Sequence, residues 1–291
     1  MDQIDYLILQ SEQLRKKNWL KSVEILHNAL SKNSENVKLL TSLGNTYSFK
    51  NKHRKAQECY RQVLNQQVNV DEILLKLADS HIACSEDEIA TKYLSRVSKQ
   101  SLDLLYKKAI IAVRLQHDIK AEKLLDKIIE SYPDFISAYF LKIELLLKNR
   151  RMDETFLVIN LIKGKFGETS QINFLEGVTY FQQKNWISAF SNFKKAEKQK
   201  FKFSIHIKLY GIACYKIGLY ALAEKKFMNA LRLLPFDASL YEYLIKIYIK
   251  TNRIEKAKSF ISGVSKTIPI TKNLARLYAS VKYGKNSSIK S

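Results

Sequence analysis

The three prolines of this 291-residue chain stand on one lattice. Pro133, Pro235 and Pro269 are separated by 102 and 34 residues, and 102 is three times 34. A 34-residue period is the length of one helix–turn–helix unit, which buries its apolar face only by stacking on its neighbours. Such a chain presents an extended surface rather than one enclosed crevice. The period therefore points to a binding scaffold before any motif is considered.

Other residues obey the same lattice. With proline at position 32, units begin near residues 3, 37, 71, 102, 136, 170, 204 and 238. Position 20 reads Ser22, Ala56, Ala90, Ala121, Thr155, Ala189, Ala223 and Ala257. Position 24 reads Leu26, Tyr60, Leu94, Leu125, Ile159, Phe193, Phe227 and Ile261. Position 27 reads Ala29, Val63, Val97, Ile128, Ile162, Ala196, Ala230 and Val264. The last two columns are apolar in all eight units of a chain that is only 46% apolar. Positions 20, 24 and 27 share one face of a helix, so they predict the buried stripe of each second helix. Small residues at position 20, and at position 8 (Gly44, Ala78, Ala109, Gly177, Gly211), predict close approach of the paired helices. Lys-Asn-Trp recurs, ending at Trp19 and Trp186, both at position 17. The step from 71 to 102 is three residues short, a loss expected in the exit turn of the third unit.

These columns resemble the tetratricopeptide repeat family. Leu43-Gly44-Asn45-Thr46-Tyr47 followed by Ala56 and Tyr60 looks like a typical unit, as does Gly177 with Tyr180, Ala189, Phe193 and Ala196. Gly211, Ala223, Phe227, Ala230 and Pro235 match best. The first and fifth units depart at position 8, with Gln10 and Ile143. The resemblance implies an all-α, right-handed superhelical solenoid of about eight helix–turn–helix repeats that binds peptides or other proteins. It covers residues 1–271; residues 272–291 are expected to add a capping helix, over 272–283, and a polar tail. One elongated domain is expected.

Composition narrows the function. The opening Met-Asp-Gln-Ile-Asp lacks the basic start and apolar run of a signal peptide. With three scattered cysteines, Cys59, Cys84 and Cys214, forming no disulfide framework, the expected location is cytoplasmic. Cys214 and His81 both fall at core position 11. No run approaches the length of a membrane span. No Gly-rich phosphate loop occurs, none of the five histidines has a partner at metal-ligand spacing, and Glu86, Asp87 and Glu88 read as a solvated turn. No enzyme activity, cofactor or metal is expected.

Charge divides the chain. Residues 1–141 hold 21 basic and 18 acidic side chains, whereas 142–291 hold 28 and 10, a balance of +18. A basic half suits an acidic partner, nucleic acid or an anionic membrane surface; lysine-rich drift of the composition is the competing account.

In the family, positions 2, 5, 9, 12 and 13 of each first helix line the concave surface. Carried over, position 5 gives Tyr106, Phe140 and Phe174, and position 9 gives Ile110, Val178 and Ile212. Position 12 gives Val113, Leu147, Phe181, Tyr215 and, one unit on, Ile249, with Lys208, Lys216, Lys246 and Lys250 joining at the C-terminal end. The resemblance thus implies an aromatic groove with peripheral cations, fit for a partner segment or helix carrying apolar anchors and carboxylates. The carboxylate clamp of co-chaperone repeats is absent as a set: Asn45 is present, but Lys76 and Ile212 stand where asparagine is needed. The alternative is a basic helical-repeat RNA binder. Against it stand the 34-residue period, alanine at position 20 and glycine at position 8.

Overall fold

The computed structural model describes residues 2–201, 203–264, 269 and 271–283. Among them the chain is all α, with 17 helices and no strand, as the lattice predicts. In order they are α1 (Gln3–Lys17), α2 (Trp19–Leu30), α3 (Val37–Phe49), α4 (His53–Asn65), α5 (Val70–Ala83) and α6 (Asp87–Ser95). There follow α7 (Leu102–Arg114), α8 (Asp118–Ser131), α9 (Ile136–Lys148), α10 (Met152–Phe166), α11 (Ser170–Gln182) and α12 (Trp186–Lys198). The last are α13 (Ser204–Lys216), α14 (Tyr220–Leu233), α15 (Ala238–Lys250), α16 (Ile254–Val264) and α17 (Lys272–Tyr283). Two compact units, Met1–Leu145 and Leu146–Ser291, divide within α9. The polar tail expected after residue 283 lies outside the described residues.

The columns become the core. All eight residues at position 20 are fully buried, and those at position 27 are buried throughout, from Ala29 to Val264. Position 24 is buried in the first seven repeats, and Ile261 is partly so. Position 8 is small for a particular reason. A Cβ built on Gly44 would lie 2.5 Å from the Tyr60 ring, and one on Gly177 or Gly211 would lie 2.7 Å from the ring of Phe193 or Phe227. Each glycine therefore receives the aromatic ring at position 24 of its own repeat. Where position 24 is leucine, as at Leu94 and Leu125, alanine suffices at Ala78 and Ala109. In the fifth repeat a buried Ile143 stands at position 8 with Ile159 at position 24.

Turns follow a second set of columns. From the second repeat onward, position 15 is left-handed: Asn51, Ser85, Gln116, Arg150, Lys184, Gly218 and Asn252 have φ between 55° and 82°. At each, the next N–H donates to the carbonyl five residues earlier, from Lys52 to Tyr47 through Arg253 to Tyr248, at 2.8–2.9 Å. This is the Schellman ending of a helix, satisfying a carbonyl that the helix leaves unpaired. At position 34, side chains of Asn36, Ser101, Thr169, Asp237 and Thr271 accept from the first turn of the following helix. The repeated Lys-Asn-Trp also resolves into capping: Asn18 and Asn185 accept from Lys21 and Ser188 at the starts of α2 and α12.

The prolines end repeats without interrupting helices. Their carbonyls are also used: Tyr139 donates to Pro133 at 3.0 Å and Tyr241 to Pro235 at 2.8 Å. At the C-terminal end, α17 buries Leu274, Leu277 and Val281, and it packs on α15 and α16, the role expected of a cap.

Two expectations need correction. The residues missing from the third repeat come from helix α6, which has nine residues where α4 has 13, and not from the exit turn. Val97 still fills position 27, because the Asp71 carboxylate accepts from Ser98 N, Ser98 Oγ and Lys99 N at 2.8–2.9 Å and holds the chain there. Nor is the 86–88 turn merely solvated. Glu86 Oε2 lies 2.6 Å from Nδ1 of the buried His81, and Asp87 pairs with Arg114 at 3.0 Å. The His81 contact is the main cause holding the Glu86 carboxyl below the usual carboxylate range.

Candidate functional site

Within the second unit, the first helices α11, α13 and α15 carry most of the residues expected to face a partner. Their side chains differ in depth. Phe174 is half-buried, its ring 4.8 Å from Phe201, 5.8 Å from His206 and 6.1 Å from Phe193. Val178 is half-buried against the same core. Ile212 and Leu147 are 9% and 7% exposed and belong to the interior. Lys208 is committed to an ion pair with Asp237 at 2.6 Å, and Lys250 is exposed at the end of α15.

The remaining residues fall into two groups that adjoin at Tyr215 and Lys216 of α13. Phe181 packs edge-on to Trp186 at 5.1 Å, and the Lys216 ammonium stands 5.6 Å above the Trp186 ring. Beside Lys216 on α13, Tyr215 lies 5.7 Å from Tyr220 and 5.3 Å from Tyr243. Lys246 stands 5.4 Å over Tyr243, whose other contact is a stack on the buried Phe227 at 5.0 Å. Burial pushes the Tyr215 and Tyr243 phenols up, so both remain neutral donors at physiological pH. Trp186, Tyr220 and Tyr243 were not among the expected residues. Position 17 lies on a second helix and position 6 beside the groove column, so only the ring contacts bring them in.

In the first unit, Tyr106 is half-buried, edge-on to Phe135 at 4.9 Å, with its hydroxyl donating to Ser137 O at 3.4 Å. Ile110 and Phe140 are half-buried, and Val113 is 7% exposed. The structure gathers no comparable aromatic and lysine cluster from these four.

Electrostatics single out the second unit. Residues 146–291 hold 27 basic and nine acidic side chains. Most of those carboxylates are occupied: Glu168 by Lys195, Glu176 by Lys163, Glu197 by Lys226, Asp237 by Lys208, and Glu224 by both Arg253 and Lys256. Neither Lys216 nor Lys246 has an ion-pair partner among the described residues. Cations over ring faces with no carboxylate of their own can receive one from outside.

The interior of this unit holds a titratable group. His206 is buried, and its Nε2 donates to Phe193 O at 2.9 Å within the rings of Phe174, Phe193, Phe201 and Tyr210. Burial, the largest cause, holds its pKa below the ordinary histidine value. The unfolded chain therefore takes up a proton near pH 6.5 that the folded ring resists. Stability should be complete above that pH and decline as the pH falls from 7 to 5. Melting temperatures across that range should fall more for the native chain than for His206→Gln.

Cys59, Cys84 and Cys214 are free. Burial pushes the Cys59 thiol up to about 11 and the Cys214 thiol up to about 12, away from the thiolate range. Among the described residues no group of three or more His, Cys, Asp or Glu is placed to hold a metal ion. No described helix is long and apolar enough to cross a membrane.

Comparison with known proteins agrees with this architecture. A family model described as a tetratricopeptide repeat matches residues 37–67, the second repeat of the lattice. Sequence comparison with curated proteins gives no match. Among solved structures, a tetratricopeptide repeat protein from Parabacteroides merdae superposes with a TM-score of 0.70 at 21% identity, over 84% of this chain and 98% of that one. Yeast Tom70 gives 0.64 at 14% identity, over 91% of this chain and 58% of its own. PilW, a type IV pilus biogenesis factor, gives 0.62 at 15% identity, over 72% and 98%. The second repeat is thus similar in sequence to the tetratricopeptide repeat, and the chain shares the fold of solved tetratricopeptide repeat proteins.

Proposed function

We propose that this protein is a non-enzymatic scaffold, and that its second unit holds a segment or helix of another protein against α11, α13 and α15. The observation that carries the reading is the two adjoining groups, Trp186–Lys216 and Tyr215–Tyr243–Lys246. Their rings offer apolar anchoring area, and their ammonium groups lack carboxylate partners. An acidic segment with apolar side chains suits both: the rings exclude water, and the unit's surplus charge steers the approach. Phe174, Val178 and Phe181 extend the face along α11, with Lys250 at its far end. Tyr106, Ile110, Val113 and Phe140 remain proposed contacts of the first unit. Three free thiols suit a reducing compartment, and we place the protein in the cytoplasm on that basis.

The test is capture of partners by the intact chain after nuclease treatment, followed by titration of what is recovered. Trp186→Ala with Tyr215→Ala should weaken a protein partner by roughly thirtyfold, with helicity verified by circular dichroism. Lys216→Gln with Lys246→Gln should weaken it chiefly at low salt. If RNA is the ligand, affinity should instead fall linearly with salt on logarithmic axes, and the lysine variant should do most of the damage. Normal binding by the aromatic variant would refute the scaffold face as drawn.

A further inference from the structure

The shortening of the third repeat has left a site in the first unit, separate from the proposed partner face. Helices α4 and α6 both start at position 17 of their repeats, but α4 runs to position 29 and α6 stops at position 25. Where the missing turn would lie, a cleft of about 760 Å³ opens. Leu64 and Val70, both partly buried against the core, form its apolar floor, and Tyr93 forms a wall. Asn65 and Gln67 offer amide donors and acceptors, and Arg61 and Arg96 stand at the rim.

Three of the five arginines of this unit, Arg54, Arg61 and Arg96, form no ion pair among the described residues, and two of them stand at this rim. Arg15 pairs with Glu12 and Arg114 with Asp87. No carboxylate lines the cleft. Glu58, three residues before Arg61 on α4, does not line the cleft, and Asp71, next to Val70 in sequence, is already occupied by its three hydrogen bonds from Ser98 and Lys99. Those bonds also fix the chain just beyond Arg96, which caps α6 through its N–H to Tyr93 O at 3.1 Å. The Tyr93 ring is stacked at 5.3 Å on the buried His81, which is itself held by Glu86. The walls are thus set before anything binds.

We propose that this cleft takes a short acidic peptide segment of a partner protein. Its carboxylates would lie between the two guanidinium forks, whose planar donors match a carboxylate two bonds at a time. An aliphatic side chain beside them would rest on Leu64 and Val70, a contact that a bare anion cannot use. The Asn65 and Gln67 amides would meet the segment's backbone. The proposal does not depend on the face assigned to the second unit.

The experiment uses the full chain with labelled leucine and valine methyl groups. It is titrated with an acetylated, amidated Glu-Leu-Glu-Leu peptide, with its Gln-Leu-Gln-Leu counterpart, and with inorganic phosphate alone. The acidic peptide should shift the Leu64 and Val70 methyl resonances. Arg61→Gln with Arg96→Gln should weaken that binding by about tenfold or more. Both side chains are exposed, so the variant should keep its melting temperature. Arg96→Lys keeps the charge but loses the fork, and should also bind more weakly. The proposal is overturned if the neutral peptide shifts the same methyls equally, if phosphate alone reproduces the shifts, or if the arginine variants bind as tightly as the native chain. Shifts confined to Val178 and the leucines of the second unit would also overturn it, while leaving the reading of that unit intact.

Discussion

Replacing Phe227 with alanine should cost about 3–5 kcal/mol, the range for deleting a fully buried aromatic side chain. The ring is completely buried, lies over Gly211, and stacks on Tyr243 at 5.0 Å and 15°. Collapse around the cavity is limited because the helix pair closes on two other fully buried residues, Ala223 and Ala230. Hydrogen exchange of α13, α14 and α15 is the appropriate readout, since a repeat array opens in parts and one global midpoint can hide a local loss. Native-like protection of those helices in Phe227→Ala would show that the ring is not the keystone of its repeat.

Gly211→Leu should harm the same joint from the other side. An added Cβ alone would lie 2.7 Å from the Phe227 ring. Helix propensity favours leucine over glycine by just under 1 kcal/mol, but overpacking a closed core costs about 1–3 kcal/mol, and a whole leucine belongs at the upper end. Gly164→Ala is the matched control. Nothing lies within 4 Å of its added Cβ, so that variant should gain up to about 1 kcal/mol from propensity. Combining Gly211→Leu with Phe227→Ala should cost less than the sum, with a coupling of about 0.5–3 kcal/mol, because the leucine partly fills the cavity. Strict additivity of the two urea-unfolding losses would separate the residues and break the argument for position 8.

These variants also mark how far the sequence carries the structure. The period was legible because the core is repetitive: positions 20, 24 and 27 must be small or apolar wherever two helices close. The pairing of Gly44, Gly177 and Gly211 with Tyr60, Phe193 and Phe227 was readable in principle, since glycine stands only opposite rings. The capping column at position 34 was equally present in Asn36, Ser101, Thr169, Asp237 and Thr271, but their chemical variety concealed it.

Depth was not legible. A ring repeating every 34 residues shares a helix face with its counterparts, yet periodicity cannot say how far a neighbour covers it. Phe174 is half covered, with Phe201 and His206 beside its ring, whereas Ile212 is buried, although both stand in groove columns. Trp186 and Tyr243 enter the candidate face through contacts between different helices, which no single column records. The role of Glu86 and Asp87 was hidden likewise, because Arg114 stands in the next repeat.

The left-handed residue in each helix–helix turn gives the array a separate adjustment for each repeat. The seven are all exposed, and only one, Gly218, is a glycine. A side chain in that conformation costs roughly 1–2 kcal/mol, part of which asparagine avoids. Arg150 and Lys184 carry this penalty at one repeat each, away from the core columns. Substituting glycine there should firm the local turn by up to about 1 kcal/mol, after the chain-entropy cost of glycine is counted. In an array where each repeat leans only on its neighbours, such increments decide which repeat frays first under heat or pulling force. The order of unravelling could thus be rewritten by single exchanges at the turns, with the buried stripe left as it is.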